Sequence, residues 1–140
     1  LLASCGFNPI YSTKTSNFKI NEIELVQKNK LNNRIKNSLS NYSNEQGDKE
    51  FDVKISSLKE ITIGSKDSKG NPLTYNMVLD VKVKVFNRNT EVLINTLRFN
   101  KSFSYNNQTN KFNFNEYKKT IIENITDKIS QEILISLQSL

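Results

Sequence analysis

The chain has 140 residues, 36% of them hydrophobic, and its 20 Lys and Arg outnumber its 14 Asp and Glu for a net charge of +6. That length suits one domain with one core, and the basic balance favours an anionic partner without choosing among nucleic acid, anionic lipid and an acidic protein surface. Lack of His removes the commonest general base, the His-dependent triads and most zinc sites; a lone Cys excludes an internal disulfide; and no stretch approaches the roughly 20 apolar residues a bilayer-spanning helix needs.

Leu1-Leu2-Ala3-Ser4 reads as the residual end of a secretory signal peptide, an apolar run closing on small residues. Leu2-Ala3-Ser4-Cys5 resembles the bacterial lipobox, in which the Cys thiol takes a diacylglycerol, the chain is cut before it, and the new amine is acylated. Cys5 is therefore the expected lipidation site, the alternative being an ordinary buried Cys near a frayed end. Each buried methylene contributes about 0.8 kcal/mol, so several acyl chains would hold the protein permanently. Gly6 stands where lipoproteins retained at the inner membrane often carry Asp, which points to the outer membrane.

Residues 5–17 read as a lipid-anchored N-terminal tether and 18–140 as a single domain. Phe18 to Val26 alternate as a first strand, with a parity break after Ile20 that predicts a bulge. From Gln27 the period becomes helical through Leu31, Ile35, Leu39 and Tyr42, and Gly47 suits a C-terminal cap. Phe51, Val53 and Ile55 begin a second strand that continues irregularly through Leu58, Ile61 and Ile63, and Gly64 to Pro72 reads as a turn-rich loop. Tyr75, Met77, Leu79, Val81, Val83 and Val85 make the clearest strand. After a turn at Asn87-Arg88-Asn89-Thr90, a fourth strand carries Leu93, Leu97, Phe99, Phe103 and Tyr105 on one face. Asn113, with Glu116 three residues on, predicts the capping box of a last helix striped by Ile122, Ile125, Ile129, Ile133, Leu137 and Leu140.

The expected fold is α+β: a two-layer α/β sandwich of order β-α-β-β-β-α. It has a four-stranded mixed sheet, parallel at the first βαβ unit and an antiparallel meander after it, with two helices on one face.

Chemistry is sparse. Asp48, Glu50 and Asp52 alternate and could hold a hard cation, but they read better as the wet side of a strand whose Phe51 and Val53 point inward. The segment Gly64-Ser65-Lys66-Asp67-Ser68-Lys69-Gly70 lacks the residue order of a phosphate loop and reads as a hairpin tip. No catalytic residue, metal site or cofactor is called for, and an enzyme is not expected. The informative feature is the sheet face away from the helices. Alternation gathers Lys54, Lys82, Lys84 and Arg98 there, with Arg88 at the adjoining turn and Asp52 and Asp80 as counterweights. The surface is either an ordinary charged face or an anion platform.

The opening Cys5-Gly6-Phe7-x-Pro9-x-Tyr11 resembles the start of lipopolysaccharide-assembly lipoproteins of the alphaproteobacterial LptE type, with Ile10 in place of a Leu. The order of elements follows that family over nearly the whole chain: a helix with Arg34 and Leu39, strands with Phe51-x-Val53 and Tyr75-x-Met77, Ser104-Tyr105 closing the hairpin, then a long helix. The resemblance implies a protein without catalysis that sits in the lumen of the outer-membrane β-barrel LptD, helps to fold and plug it, and binds lipopolysaccharide. Lys54, Lys82, Lys84, Arg88 and Arg98 would then be candidate contacts for its phosphates and acidic sugars. Two alternatives stand beside it. One is an auxiliary lipoprotein of a lipid-transport ABC system. The other, farther, is a nucleic-acid-binding module, although the outward strand positions lack a pair of stacking aromatics, so no nucleic-acid partner is expected.

Overall fold

The computed structural model describes residues 16–140; Cys5, the segment 1–4 and most of the expected tether lie outside the described residues. The elements run β1 (Phe18–Leu25), α1 (Lys30–Tyr42), β2 (Lys49–Lys66), β3 (Pro72–Asn87), β4 (Leu93–Asn106) and α2 (Lys111–Ser139). The sheet order is β1-β2-β3-β4, with β1 parallel to β2 and the other pairs antiparallel. This is the expected α+β arrangement of a four-stranded mixed sheet with two helices. Ser16 and Asn17, at the end of the expected tether, are tied to the folded body. The Ser16 hydroxyl donates to the Tyr42 carbonyl, and the Asn17 amide donates to Gln138.

Period-two burial decides which face is packed. Phe51, Val53 and Ile55 of β2 and Met77, Leu79, Val81, Val83 and Val85 of β3 are all buried, while the residues between them are not. On this inner face lie Leu31, Ile35 and Leu39 of α1, at four-residue spacing, and Ile129, Ile133, Leu134 and Leu137 of α2. Thr126 and Ser130 are buried with them, their hydroxyls donating to the carbonyls of Ile122 and Thr126 one turn back. Arg34 of α1 links the two helices. Its guanidinium donates to both carboxylate oxygens of Asp127 at 2.8 and 3.0 Å, and Glu123 lies 3.7 Å away. The parity break in β1 is present between Ile20 and Glu22.

Four boundaries differ from expectation. α1 begins at Lys30, not Gln27, because the Asn29 side chain accepts the Asn32 amide at 2.8 Å and caps the helix. It ends at Tyr42, well short of Gly47. Gly47 serves a close approach instead: a Cβ there would stand 2.5 Å from the Phe18 carbonyl carbon. Asn110, not Asn113, caps α2 and accepts the Asn113 amide at 3.1 Å, since the loop before it is pinned by the Asn107 amide on the Leu73 carbonyl. The loop expected from Gly64 to Pro72 shrinks to 67–71, because β2 keeps pairing with β3 as far as Lys66, with register shifts at Ser65. In β4, a shift sets Leu93 opposite Phe86, so Leu93 leaves the inner row and is exposed.

Candidate functional site on the outer sheet face

With odd-numbered residues of β3 packed inward, its even-numbered residues face out, and cross-strand pairing shows what they meet. Lys82 lies opposite Arg98 on one side and Ser56 on the other; Lys84 lies opposite Lys54 and Thr96. Lys54, Lys82, Lys84 and Arg98 thus share one surface. Arg88 follows at the end of β3.

Their electrostatics are not equal. Lys54 is answered by Glu24 at 3.7 Å, and Arg88 by Asp52 at 3.3 Å. Asp80 accepts a hydrogen bond from the Asn100 amide group across the strand pair. Among the described residues no carboxylate lies within 4.0 Å of Lys82, Lys84 or Arg98. Lys82 and Arg98 therefore sit directly across neighbouring strands as an uncompensated like-charged pair, which disfavours the sheet unless an anion bridges it, while Lys84 lies opposite Lys54, whose charge Glu24 answers. A concavity of about 540 Å³ adjoins them, lined among others by Ser56, Leu58, Asp80, Lys82, Arg98 and Asn100. Leu58, 62% exposed, supplies an apolar patch beside the charges. Such a surface can hold an anionic group by charge-assisted hydrogen bonds while offering a small apolar contact.

The five sequence-predicted residues divide three to two: Lys82, Lys84 and Arg98 have no acidic partner among the described residues, and Lys54 and Arg88 are held in ion pairs. Sequence reasoning missed the carboxylate that neutralises Lys54. The signal was present, because the β1 bulge resets parity and brings Glu24 opposite Lys54. It also missed Leu58 as part of this surface, reading it only as a point on an irregular strand. Asp52 faces outward as expected but is not simply wet, since its Oδ1 is buried without a partner while Oδ2 meets Arg88. No group of three metal-ligating side chains occurs among the described residues, and no helix of theirs is long and apolar enough to cross a membrane.

No family model and no curated protein sequence matches the chain. Solved structures do. Rare lipoprotein B from Shewanella oneidensis is similar at a TM-score of 0.62 and 14% identity, covering 85% of this chain and 95% of that one. A minor lipoprotein from Acinetobacter baumannii gives 0.60 and 14%, covering 86% and 90%. Lipoprotein B from Nitrosomonas europaea gives 0.64 and 11%, covering 96% and 91%. At these identities the likeness is one of fold: this chain has the fold of a set of bacterial lipoproteins, over nearly their whole length.

Proposed function

We propose that the protein is an outer-membrane lipoprotein of lipopolysaccharide assembly, anchored through acylated Cys5, which acts without catalysis as plug and folding partner of an LptD-type β-barrel. The outer sheet face binds the anionic groups of lipopolysaccharide. The observation that carries this reading is the set of unneutralised cations, Lys82, Lys84 and Arg98, two of them paired across strands, beside the concavity that includes Leu58. Support comes also from the lipobox-like opening and from the fold shared with bacterial lipoproteins. An amphiphile bearing phosphates would relieve the like-charge pair and cover the exposed leucine in one event. Each charge-assisted bond contributes about 1.5–3 kcal/mol where water is excluded, and far less where it is not.

Reversing Lys82 and Lys84 to Glu is expected to weaken lipopolysaccharide binding by about tenfold or more and to lower its salt sensitivity. The fold should persist, because neither side chain enters the core. Reversal of Lys36 and Lys128, on the helices, is the control; equal losses from both pairs would reduce the site to net charge. Purification of tagged protein from detergent-solubilised envelopes should recover a one-to-one complex with a β-barrel. Recovery with an ABC transporter instead would overturn the assembly reading. Mass spectrometry of the N-terminal peptide should show a diacylglyceryl Cys5, and an unmodified Cys5 would remove the anchor.

A further inference from the structure

The end of the sheet where β2 turns into β3 gathers apolar and cationic side chains that the outer-face site does not use. Leu73 is 51% exposed and Ile63 is 46% exposed, the latter opposite Tyr75. The N-terminus of α2 reaches the same end. Its Phe114 ring lies 5.8 Å from Tyr75 and 6.0 Å from Tyr105, Tyr117 meets Tyr105 edge-on at 6.5 Å, and the loop before the helix is bonded to the Leu73 carbonyl. The first two turns of this helix carry Phe112, 68% exposed, and Tyr117, 40% exposed, at that end.

Lysines surround these side chains. Lys111 and Lys118 place their ammonium groups 5.3 and 4.5 Å from the centre of the Phe114 ring, and Lys66 and Lys69 flank the tip. None of the four has a carboxylate within 4.0 Å among the described residues. Asp67, the acidic group of the tip, is turned into its own loop, accepting the amides of Lys69 and Asn71 and the Asn71 side chain. Lys66 and Lys69 are thus left without an acidic partner among the described residues, while Lys111 and Lys118 sit over the Phe114 ring.

We infer that this end of the molecule is a membrane-contact surface, docking on anionic phospholipid headgroups with Phe112, Leu73 and Ile63 entering the interfacial layer. Aromatic and aliphatic side chains at a tip, rimmed by unpaired lysines, match the two attractions such a surface offers: burial of apolar area at the headgroup boundary and a negative potential. Cations outnumber acids at this end, Lys66, Lys69, Lys111 and Lys118 against Asp67 and Glu116, which favours a surface of uniform negative potential over a protein rim of matched charges. The contact is separate from the outer-face site and from any acyl chain. It lies at the opposite end of the β2–β3 ladder from Phe18, where the N-terminal segment enters.

The test uses the full chain carrying Cys5→Ser, so that acyl chains cannot attach it. Vesicles of phosphatidylglycerol mixed equally with phosphatidylcholine should carry the protein on flotation, vesicles of phosphatidylcholine alone should not, and added salt should release it. Phe112→Ser with Leu73→Ser should weaken binding by more than about tenfold, and loss of each lysine charge by about fivefold. Because Phe112, Leu73, Lys66, Lys69 and Lys111 are exposed and Lys118 is half-buried outside the core, helix content should be unchanged. Reversal of Lys36 and Lys128, on the helices and away from both surfaces, should leave vesicle binding intact even if the lipopolysaccharide reading fails. A Phe112→Trp variant should shift its emission to the blue on vesicles. Absence of flotation, equal binding to neutral vesicles, equal loss from the control reversal, or an unshifted Trp emission would each overturn the inference.

Discussion

Strand β2 is two different objects along its length. From Phe51 to Ile55 it lies between β1 and β3, under the helices, and every second side chain is fully buried. β1 ends opposite Ile55, and beyond it β2 keeps only β3 as a neighbour; from Leu58 to Lys66 all nine residues are exposed. The apolar side chains Leu58, Ile61 and Ile63 resemble Phe51, Val53 and Ile55 in kind, and the backbone pairing to β3 continues through both halves. The contrast teaches that cross-strand hydrogen bonds hold an extended chain in place, while stability comes from what covers the face.

The largest break in that contrast should come from the packed side. Ile133, fully buried where α2 covers the inner face, should cost about 2–5 kcal/mol on truncation to Ala, read from urea melts. Gly47→Ala should follow, at about 1–3 kcal/mol. The new Cβ would press on the Phe18 backbone, which neither side-chain rotation nor solvent can relieve, and the same melts would register it. Gly70→Ala at the tip should cost about 1 kcal/mol, from its φ of +88° alone, because open space surrounds the site. Leu58→Ser should change stability by less than about 0.5 kcal/mol; a loss approaching that of Ile133→Ala would mean that the bare half is covered.

The smallest effect is local. Amides of Asn71 and Lys69, with Asn71 first, hold the Asp67 carboxyl below its ordinary value of 3.8. A depressed acid stabilises the fold above its unfolded pKa and loses that contribution as pH falls through the folded one. The protection of the Lys69 and Asn71 amides, measured relative to intrinsic exchange at each pH, should therefore fall only in strongly acidic solution, below the usual carboxylate range, while the buried half of β2 stays protected. A fall in that protection already near neutral pH would contradict this.

Alternation in β3 and the four-residue stripe of α1 were strong enough to place the core, the inner face and the outward cations from the sequence, because each side chain's direction follows from backbone period alone. Caps were not legible to the residue. Asn29, Asn110 and Asn113 are chemically identical candidates, and there are 21 Asn in the chain. Only the pinning of Asn107 to Leu73 selected Asn110 for α2. The outward cations were legible as a group, and the β1 parity break carried the signal that Glu24 meets Lys54, but the pairing of Arg88 with Asp52 depended on the turn that follows β3.

By itself, then, the sequence determined element order, the α+β class and the sign of the outer face, all of which follow from local period and composition. Tertiary structure decided where helix cover ends on β2, why Gly47 must be glycine, which cations remain free, and that the loop before α2 is tied to Leu73. Those properties depend on which segments, distant in sequence, come within a few ångströms of each other, and no period in the chain encodes that.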